Sequence, residues 1–250
     1  MNGYLKNLNR IEFVVTMACT GKCKHCSQGE HRCNDKLNKE LSANAVRKIA
    51  EKYDIKSVMT FGGEPLLCPE TVCEIHKAAK EKGIPKRQLI TNGYFSKDSE
   101  KIKLVAKEII QCGVNEILLS VDAFHQETIP LEHVTEFAKA VIGTGISFKV
   151  HPAWLISPED DNPYNTKTKE ILAHFNQMGI ETADGNVVFP SGNALKYLGK
   201  YFDLSQEIKN PYDENPADIK AICFSANGDI LGSNLYEQDV IQILESYKPE

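Results

Sequence analysis

No apolar run in this 250-residue chain approaches the ~18 residues of a membrane span. Met1 to Arg10 has no apolar core of the length a secretory leader needs. The expectation is a soluble, cytoplasmic protein with no membrane partner. An excess of basic charge is also missing: 29 Lys and Arg stand against 34 Asp and Glu, a formal net charge of −5. That balance gives no electrostatic reason to expect a nucleic acid, although a local basic patch would suffice for a nucleotide. Cysteine is scarce in the second half, where Cys223 is the only one after Cys112. Eight cysteines without a secretory signal read as reduced thiols or ligands rather than a disulfide framework. The apolar share of 42% and charged share of 25% are ordinary globular values, and the length suits one large domain.

Against that background one stretch stands out. Cys19-Thr-Gly-Lys-Cys23-Lys-His-Cys26 places three thiols at Cx3Cx2C spacing directly after the apolar run Ile11 to Thr16. Three cysteines within eight residues of a glycine-containing loop converge on one point. Thiolates select zinc, copper(I) or iron–sulfur clusters. Structural zinc takes four protein ligands, with His25, His31 or Cys33 available as the fourth. A [4Fe–4S] cluster held by three cysteines keeps one iron open for a reacting ligand. Cys73 and Cys112 read as buried packing, while Cys33 and Cys68 flank the candidate site.

The rest of the chain alternates strand and helix. Strand-like runs cover 57–61, 88–91, 116–121, 146–150 and 186–190. Helical stripes cover 42–53, 69–82, 98–112, 131–142 and 167–178, with Ser42 as the first N-cap. Glycines close four helices at 83, 113, 143 and 179, steps of 30, 30 and 36 residues, the size of one βα unit. Residues 157–166 and 203–218 read as surface loops. Residues 221–225 and 229–231 around Ala226-Asn-Gly228 read as a hairpin, and 238–247 as a final helix. Repeated βα units require parallel strands joined by right-handed crossovers. The expected fold is α/β: a core over 1–200, with 201–250 packed on it as a small C-terminal hairpin and helix.

Active sites of parallel α/β folds lie at the C-terminal ends of the strands. Those ends carry the cysteines, Gly62-Gly63-Glu64-Pro65, Thr91-Asn92, Ser120 with Asp122, His151, and Phe189-Pro190. Glycine lets a ligand approach the backbone. Glu64 can accept from an ammonium group, His151 can contact a ribose or a substrate, and Phe189 with Val188 offers an apolar wall. His125 and His133 read as surface or helix-face residues, and Ser191-Gly192-Asn193 as a substrate contact or a simple loop.

The Cx3Cx2C loop and the Gly62-Gly63-Glu64-Pro65 segment together resemble the radical S-adenosylmethionine (SAM) superfamily over roughly residues 11–190. The resemblance implies a partial (β/α)6 TIM-type barrel, with a [4Fe–4S] cluster on Cys19, Cys23 and Cys26 and S-adenosyl-L-methionine as cofactors. It implies that His25 lies near the adenine and that the Gly62–Pro65 segment holds the methionyl amino group. Asn92, Ser120, Asp122, His151 and Phe189 would supply further cofactor contacts. It implies reductive cleavage to a 5′-deoxyadenosyl radical, hydrogen abstraction from a peptide or small metabolite, and an electron donor such as flavodoxin or ferredoxin. Lys22 and Lys24 would tune the cluster, dock that donor, or simply be solvated. Some relatives carry an auxiliary C-terminal cluster, for which this chain lacks the cysteines. A GxIxGxxE-like segment after the fifth strand is also missing. A non-catalytic zinc- or cluster-binding protein, or a partner-dependent subunit, are the competing readings.

Overall fold

The computed structural model describes residues 2–29, 33–205, 208, 210 and 212–249. In chain order the elements are β1 (Arg10–Val14), α1 (Lys39–Lys52), β2 (Ser57–Phe61), α2 (Pro69–Glu81), β3 (Lys86–Thr91) and α3 (Ser99–Cys112). There follow β4 (Glu116–Ser120), α4 (Ala123–Gln126), α5 (Leu131–Val141), β5 (Ser147–His151), β6 (Ala153–Trp154), α6 (Pro163–Gln177), β7 (Glu181–Thr182) and β8 (Asn186–Val187). The chain ends with α7 (Gly192–Leu198), β9 (Ala221–Phe224), β10 (Asp229–Ile230), β11 (Ser233–Asn234) and α8 (Val240–Ser246).

Seven strands form one sheet in the order β7-β5-β4-β3-β2-β1-β9, and every neighbouring pair is parallel. Strand side chains alternate between the two faces. The outer face carries Ile11, Phe13, Val58, Leu89, Ile117, Leu119, Val150, Ile222 and Phe224, none more than 1% exposed. Helices cover it with the stripes their periodicity predicts: Val46 and Ile49 of α1, Val72 and Ile75 of α2, Ile102, Val105 and Ile109 of α3, Val134, Phe137 and Val141 of α5. Asp98 caps α3 by accepting from Glu100 N at 2.9 Å, and Gly113 closes it at φ 118°, a conformation L side chains avoid.

Four local expectations are corrected. Helix α1 starts three residues before Ser42, because Asn38 caps it by accepting from Leu41 N at 3.0 Å. Helix α6 starts at Pro163, inside the expected 157–166 loop, on an Asn162 cap with proline in the first turn. The sixth strand of the sheet is β7, not 186–190. The latter segment supplies β8, which pairs with β6 in a separate two-stranded sheet. Lastly, 221–224 does not form a hairpin with 229–231. It joins the main sheet beside β1, where Phe224 stacks on Phe13 at 4.8 Å between ring centroids. The small hairpin lies one step later, as β10 and β11 around Leu231 and Gly232, both with positive φ.

The Phe13–Phe224 stack is the tie between the C-terminal segment and the first strand. Phe224→Ala is expected to lower stability by about 3–5 kcal/mol, whereas Leu104→Ala on the exposed face of α3 should stay within about 0.5 kcal/mol. Urea unfolding followed by circular dichroism compares the two.

Candidate functional site

The backbones leaving β1 and β2 stay together beyond the last paired strand residues. Val15 N donates to Phe61 O at 2.8 Å, Gly63 N to Thr16 O at 2.8 Å, and Glu64 N to Ala18 O at 2.8 Å. The glycines exist for this seam. A methyl group at Gly62 would lie 2.7 Å from Thr16 O, and one at Gly63 would lie 2.2 Å from Ala18 O. The close approach that glycine permits here is therefore made by the chain's own backbone, one residue before Cys19.

Glu64 extends the seam to β3. Its side chain is fully buried. One carboxylate oxygen accepts from Thr91 Oγ1 at 2.7 Å and Leu66 N at 2.9 Å, and the other from Asn92 N at 2.8 Å. Pro65, also buried, starts the short turn that these bonds close. Burial pushes the Glu64 carboxyl up to about 7 against the lowering effect of those bonds. Asn92 then returns to the cysteine loop, its Nδ2 donating to Thr20 Oγ1 at 3.2 Å and lying 3.7 Å from Cys19 Sγ.

The three thiols share one locality in which Cys23 is buried and Cys19 and Cys26 are half-buried. Burial raises Cys19 to about 11, and the nearby charges of Glu64 and Cys26 add to the rise. Burial raises Cys23 further, followed by Asp122 and then by Cys19 and Cys26. Burial likewise raises Cys26. Buried thiols that oppose one another's ionisation are a donor set that a metal cation stabilises as thiolates. The loop is held from the far end of the chain. Asn193, 7% exposed, donates from its backbone N to Cys26 O at 2.9 Å and from Nδ2 to Cys23 O at 3.2 Å. A methyl group at Gly192 would lie 2.3 Å from Ser27 O. Residues 191–193 are thus the start of α7, seated on the cysteine loop. Lys24 pairs with Glu127 at 3.0 Å, while Lys22 is exposed.

Ser120 and His151 face each other across the ends of β4 and β5. Asp122 is buried and caps α4, accepting from Phe124 N and His125 N at 2.9 Å each, from His125 Nδ1 at 2.8 Å, and from Ala153 N at 3.0 Å. Burial works to raise its pKa. The charge and hydrogen bond of His125, then the charge of His25, overcome that and hold it well below the usual carboxylate range. His25, Asp122 and His125 offer ligand atoms within 4.8 Å of one another, but Asp122 already accepts four protein donors, one of them from His125, and His25 meets the pair through ring contacts. His25 sits 5.0 Å from the Phe124 ring and 4.7 Å from the His125 ring, and burial lowers its pKa to about 4, which keeps it neutral. Its Nδ1 and that of His151 are buried without a hydrogen bond among the described residues.

His125, expected as a surface or helix-face residue, lies on helix α4 and is turned toward Asp122 and His25, and its charge is also felt by His151 and Glu64. The available signal was its place three residues after a strand-end aspartate. Phe189 is the converse case. It follows β8, is half-buried, and ends no strand of the main sheet. Val188 is buried in a separate cluster with Phe124, Leu155 and Leu198 rather than forming an open wall. Cys73 and Cys112 both face the α2–α3 groove, Cys68 is buried before α2, and Cys33 is exposed. His31 lies outside the described residues.

The site as a whole is a parallel α/β sheet whose three-cysteine loop is stitched to a Gly-Gly-Glu turn, the arrangement expected of an enzyme that binds a metal cluster through thiols. The family model of the radical SAM superfamily matches residues 13–193, and the chain belongs to that superfamily. It is 32% identical over 148 residues to a probable GTP 3′,8-cyclase of Saccharolobus solfataricus, a match covering 56% of this chain and 45% of that protein. It is 25% identical over 241 residues to the GTP 3′,8-cyclase of Aeromonas hydrophila, covering 87% of this chain and 68% of that protein. Among solved structures it resembles Streptococcus suis SuiB bound to S-adenosylmethionine, with a TM-score of 0.61 and 14% identity over 96% of this chain and 66% of SuiB. The chain spans less than half the length of the first of these relatives. Members of the superfamily are enzymes that use a [4Fe–4S] cluster and S-adenosylmethionine. The buried, mutually coupled thiols fit such a cluster, and no helix among the described residues is long and apolar enough to cross a membrane.

Two outcomes follow for the site. The Glu64 pKa is raised from 4.5 to about 7, so the folded chain keeps a proton that the unfolded chain releases between those values. Its contribution to stability is present below pH 4.5 and is lost as pH rises through 7. In the cluster-free protein, stability should fall from pH 5 to pH 8 in the wild type and fall less in Glu64→Gln, read by urea midpoints. Asn193→Ala should keep its circular dichroism spectrum but retain less iron per chain after anaerobic reconstitution than Leu104→Ala.

Proposed function

We propose that this chain is a radical SAM enzyme in which Cys19, Cys23 and Cys26 hold the cluster and a peptide or small metabolite is the substrate. The observation that carries the reading is the stitching of the three-cysteine loop to Gly62–Glu64 and Asn92, which assembles the family's two motifs into one locality. When bound, the two cofactors supply a one-electron cleavage that yields a 5′-deoxyadenosyl radical able to take a hydrogen atom from carbon. The protein's share is to bind, orient and exclude water.

Asn92 steadies Cys19 by its Nδ2 contact, and Asn193 fixes the carbonyls of Cys23 and Cys26. With the Glu64 carboxylate turned inward, the carbonyls of the Gly62–Gly63 turn are the groups left to receive an ammonium. The neutral His25 ring offers a flat surface for a base, and Ser120 and His151 are placed for hydroxyl contacts. An external donor such as flavodoxin or ferredoxin delivers the electron near the exposed Lys22. A thiol-ligated cluster of this kind suits a reducing, cytoplasmic setting. SuiB has also been solved with its precursor peptide SuiA, which supports keeping peptides among the substrate classes. The match to the Saccharolobus solfataricus cyclase covers 45% of that protein, so the named activity of those relatives is not carried over.

Anaerobic iron–sulfur reconstitution followed by SAM and dithionite tests the reading. Wild type should form a cluster absorbing near 400 nm and release 5′-deoxyadenosine, detected by mass spectrometry, and Cys23→Ala should do neither. A chain that arrives with one tightly bound zinc, takes up no iron and leaves SAM intact would sink it.

A further inference from the structure

The cysteine loop is clamped from one side by the chain leaving α4. Glu127 Oε1 accepts from Lys24 Nζ at 3.0 Å, and Thr128 Oγ1 accepts from Lys22 N at 3.0 Å. Ile129, 1% exposed, packs beside Gly21. A methyl group at Gly21 would lie 3.0 Å from Ile129 Cδ1 and 3.1 Å from Cys23 Sγ, so only glycine lets the loop settle there. Consecutive residues of one segment thus touch the loop on both sides of Cys23. That segment is itself fixed. Thr128 N and Ile129 N both donate to His125 O, at 3.1 and 2.9 Å, and Asp122 at the end of β4 caps the helix that carries His125.

The clamp reaches a ligand sulfur. The Cys19 thiol accepts from loop backbone, with Gly21 N at 3.4 Å. The Cys26 thiol accepts from the backbone of Gln28 and Gly29. Cys23 is served differently, because its hydrogen bond comes from outside the loop, from the Thr128 side chain. Lys22 N occupies a lone pair of Thr128 Oγ1 and leaves the hydroxyl hydrogen for the sulfur. Cys23 is also where a donor matters most. It is the buried member of the trio, and the negative charge of Asp122 acts on it. Holding negative charge in a buried place beside a carboxylate is costly, and a hydrogen bond to the anion offsets part of that cost. Hydrogen bonds to ligand sulfurs are one of the levers that set the reduction potential of an iron–sulfur cluster.

We propose that Thr128 is a positioning residue whose hydroxyl donates to the Cys23 thiolate and raises the reduction potential of the cluster held by Cys19, Cys23 and Cys26. The proposal rests on the radical SAM reading and deepens it by naming a residue that governs how readily the site takes its electron. One electron passes from a low-potential donor to the cluster. The Thr128 proton stays on Oγ1, and no bond to that oxygen forms or breaks.

The test is a redox titration of the reconstituted chain, anaerobic and without SAM, followed by electron paramagnetic resonance of the reduced cluster. Thr128→Val and Thr128→Ala should shift the midpoint potential to more negative values. Thr128→Ser, which keeps the donor, should restore the wild-type midpoint. Glu127→Gln loosens the same clamp but leaves the hydroxyl in place and removes a negative charge, so its midpoint should not fall. That variant separates the hydrogen bond from a general loosening of the loop. Iron per chain and circular dichroism are measured on every variant. Wild-type midpoints in Thr128→Val and Thr128→Ala would overturn the proposal, as would a Thr128→Ser or Glu127→Gln midpoint as low as theirs. Failure of both Thr128→Val and Thr128→Ala to take up iron would overturn it as well, because the bond would then serve assembly rather than potential. A wild-type chain that forms no [4Fe–4S] cluster defeats the radical SAM reading itself, whereas a wild-type cluster with an unmoved midpoint in the variants defeats only the role of Thr128.

Discussion

Everything at the functional end of this protein depends on a backbone seam without side chains in its way. Gly62 and Gly63 let the turn after β2 lie directly on Thr16 to Ala18, so the residue before the first cysteine is positioned by main-chain hydrogen bonds. Main-chain bonds cannot change rotamer, which makes the seam a firmer reference than a side-chain contact. From it Glu64 reaches the end of β3, and Asn92 reaches back to Cys19. Three strand ends and the metal-binding loop are tied into one body over a few residues of sequence on each strand.

The electrostatics of that body explain which groups are fixed and which are available. Asp122 and Glu64 are both buried carboxyls. Asp122 is bonded directly to His125 and is held well below the usual carboxylate range, whereas Glu64 accepts from Thr91, Leu66 N and Asn92 N, and burial raises it to about 7. Both are committed to the protein, as N-cap and as strand tie. At this end of the sheet the Nδ1 atoms of His25 and His151 are buried with hydrogen-bonding capacity left among the described residues. A ligand therefore meets a preformed polar scaffold, and the buried acids serve to hold its parts in place.

The βα rhythm, the apolar stripes of α1, α2, α3 and α5, the first five strands and the three cysteines were legible locally. Each depends on periods and spacings within a dozen residues. What escaped was decided over longer range. Two positions at 181–182 are too short to announce a strand, and Asn186 to Val188 pairs elsewhere because Gly185 brings the chain against Pro152, where a methyl group would lie 2.2 Å from its carbonyl. Ile222 and Phe224 read as half of a hairpin because a turn follows them, yet the stack on Phe13 offers a larger apolar contact than β10 does. Asn193 as a support for the cysteine loop had no local signal at all, since its partners lie 167 and 170 residues away.

The sequence by itself determined that three thiols share one short loop and that alternating strand and helix periods build a parallel α/β sheet, because both are set by bonds between near neighbours. The tertiary structure alone decided why the glycines are glycines, why Glu64 faces inward, and that the His125 ring is turned onto Asp122. Those outcomes depend on which strand lies beside which and in what register, and register is fixed only when the whole apolar outer face is buried at once.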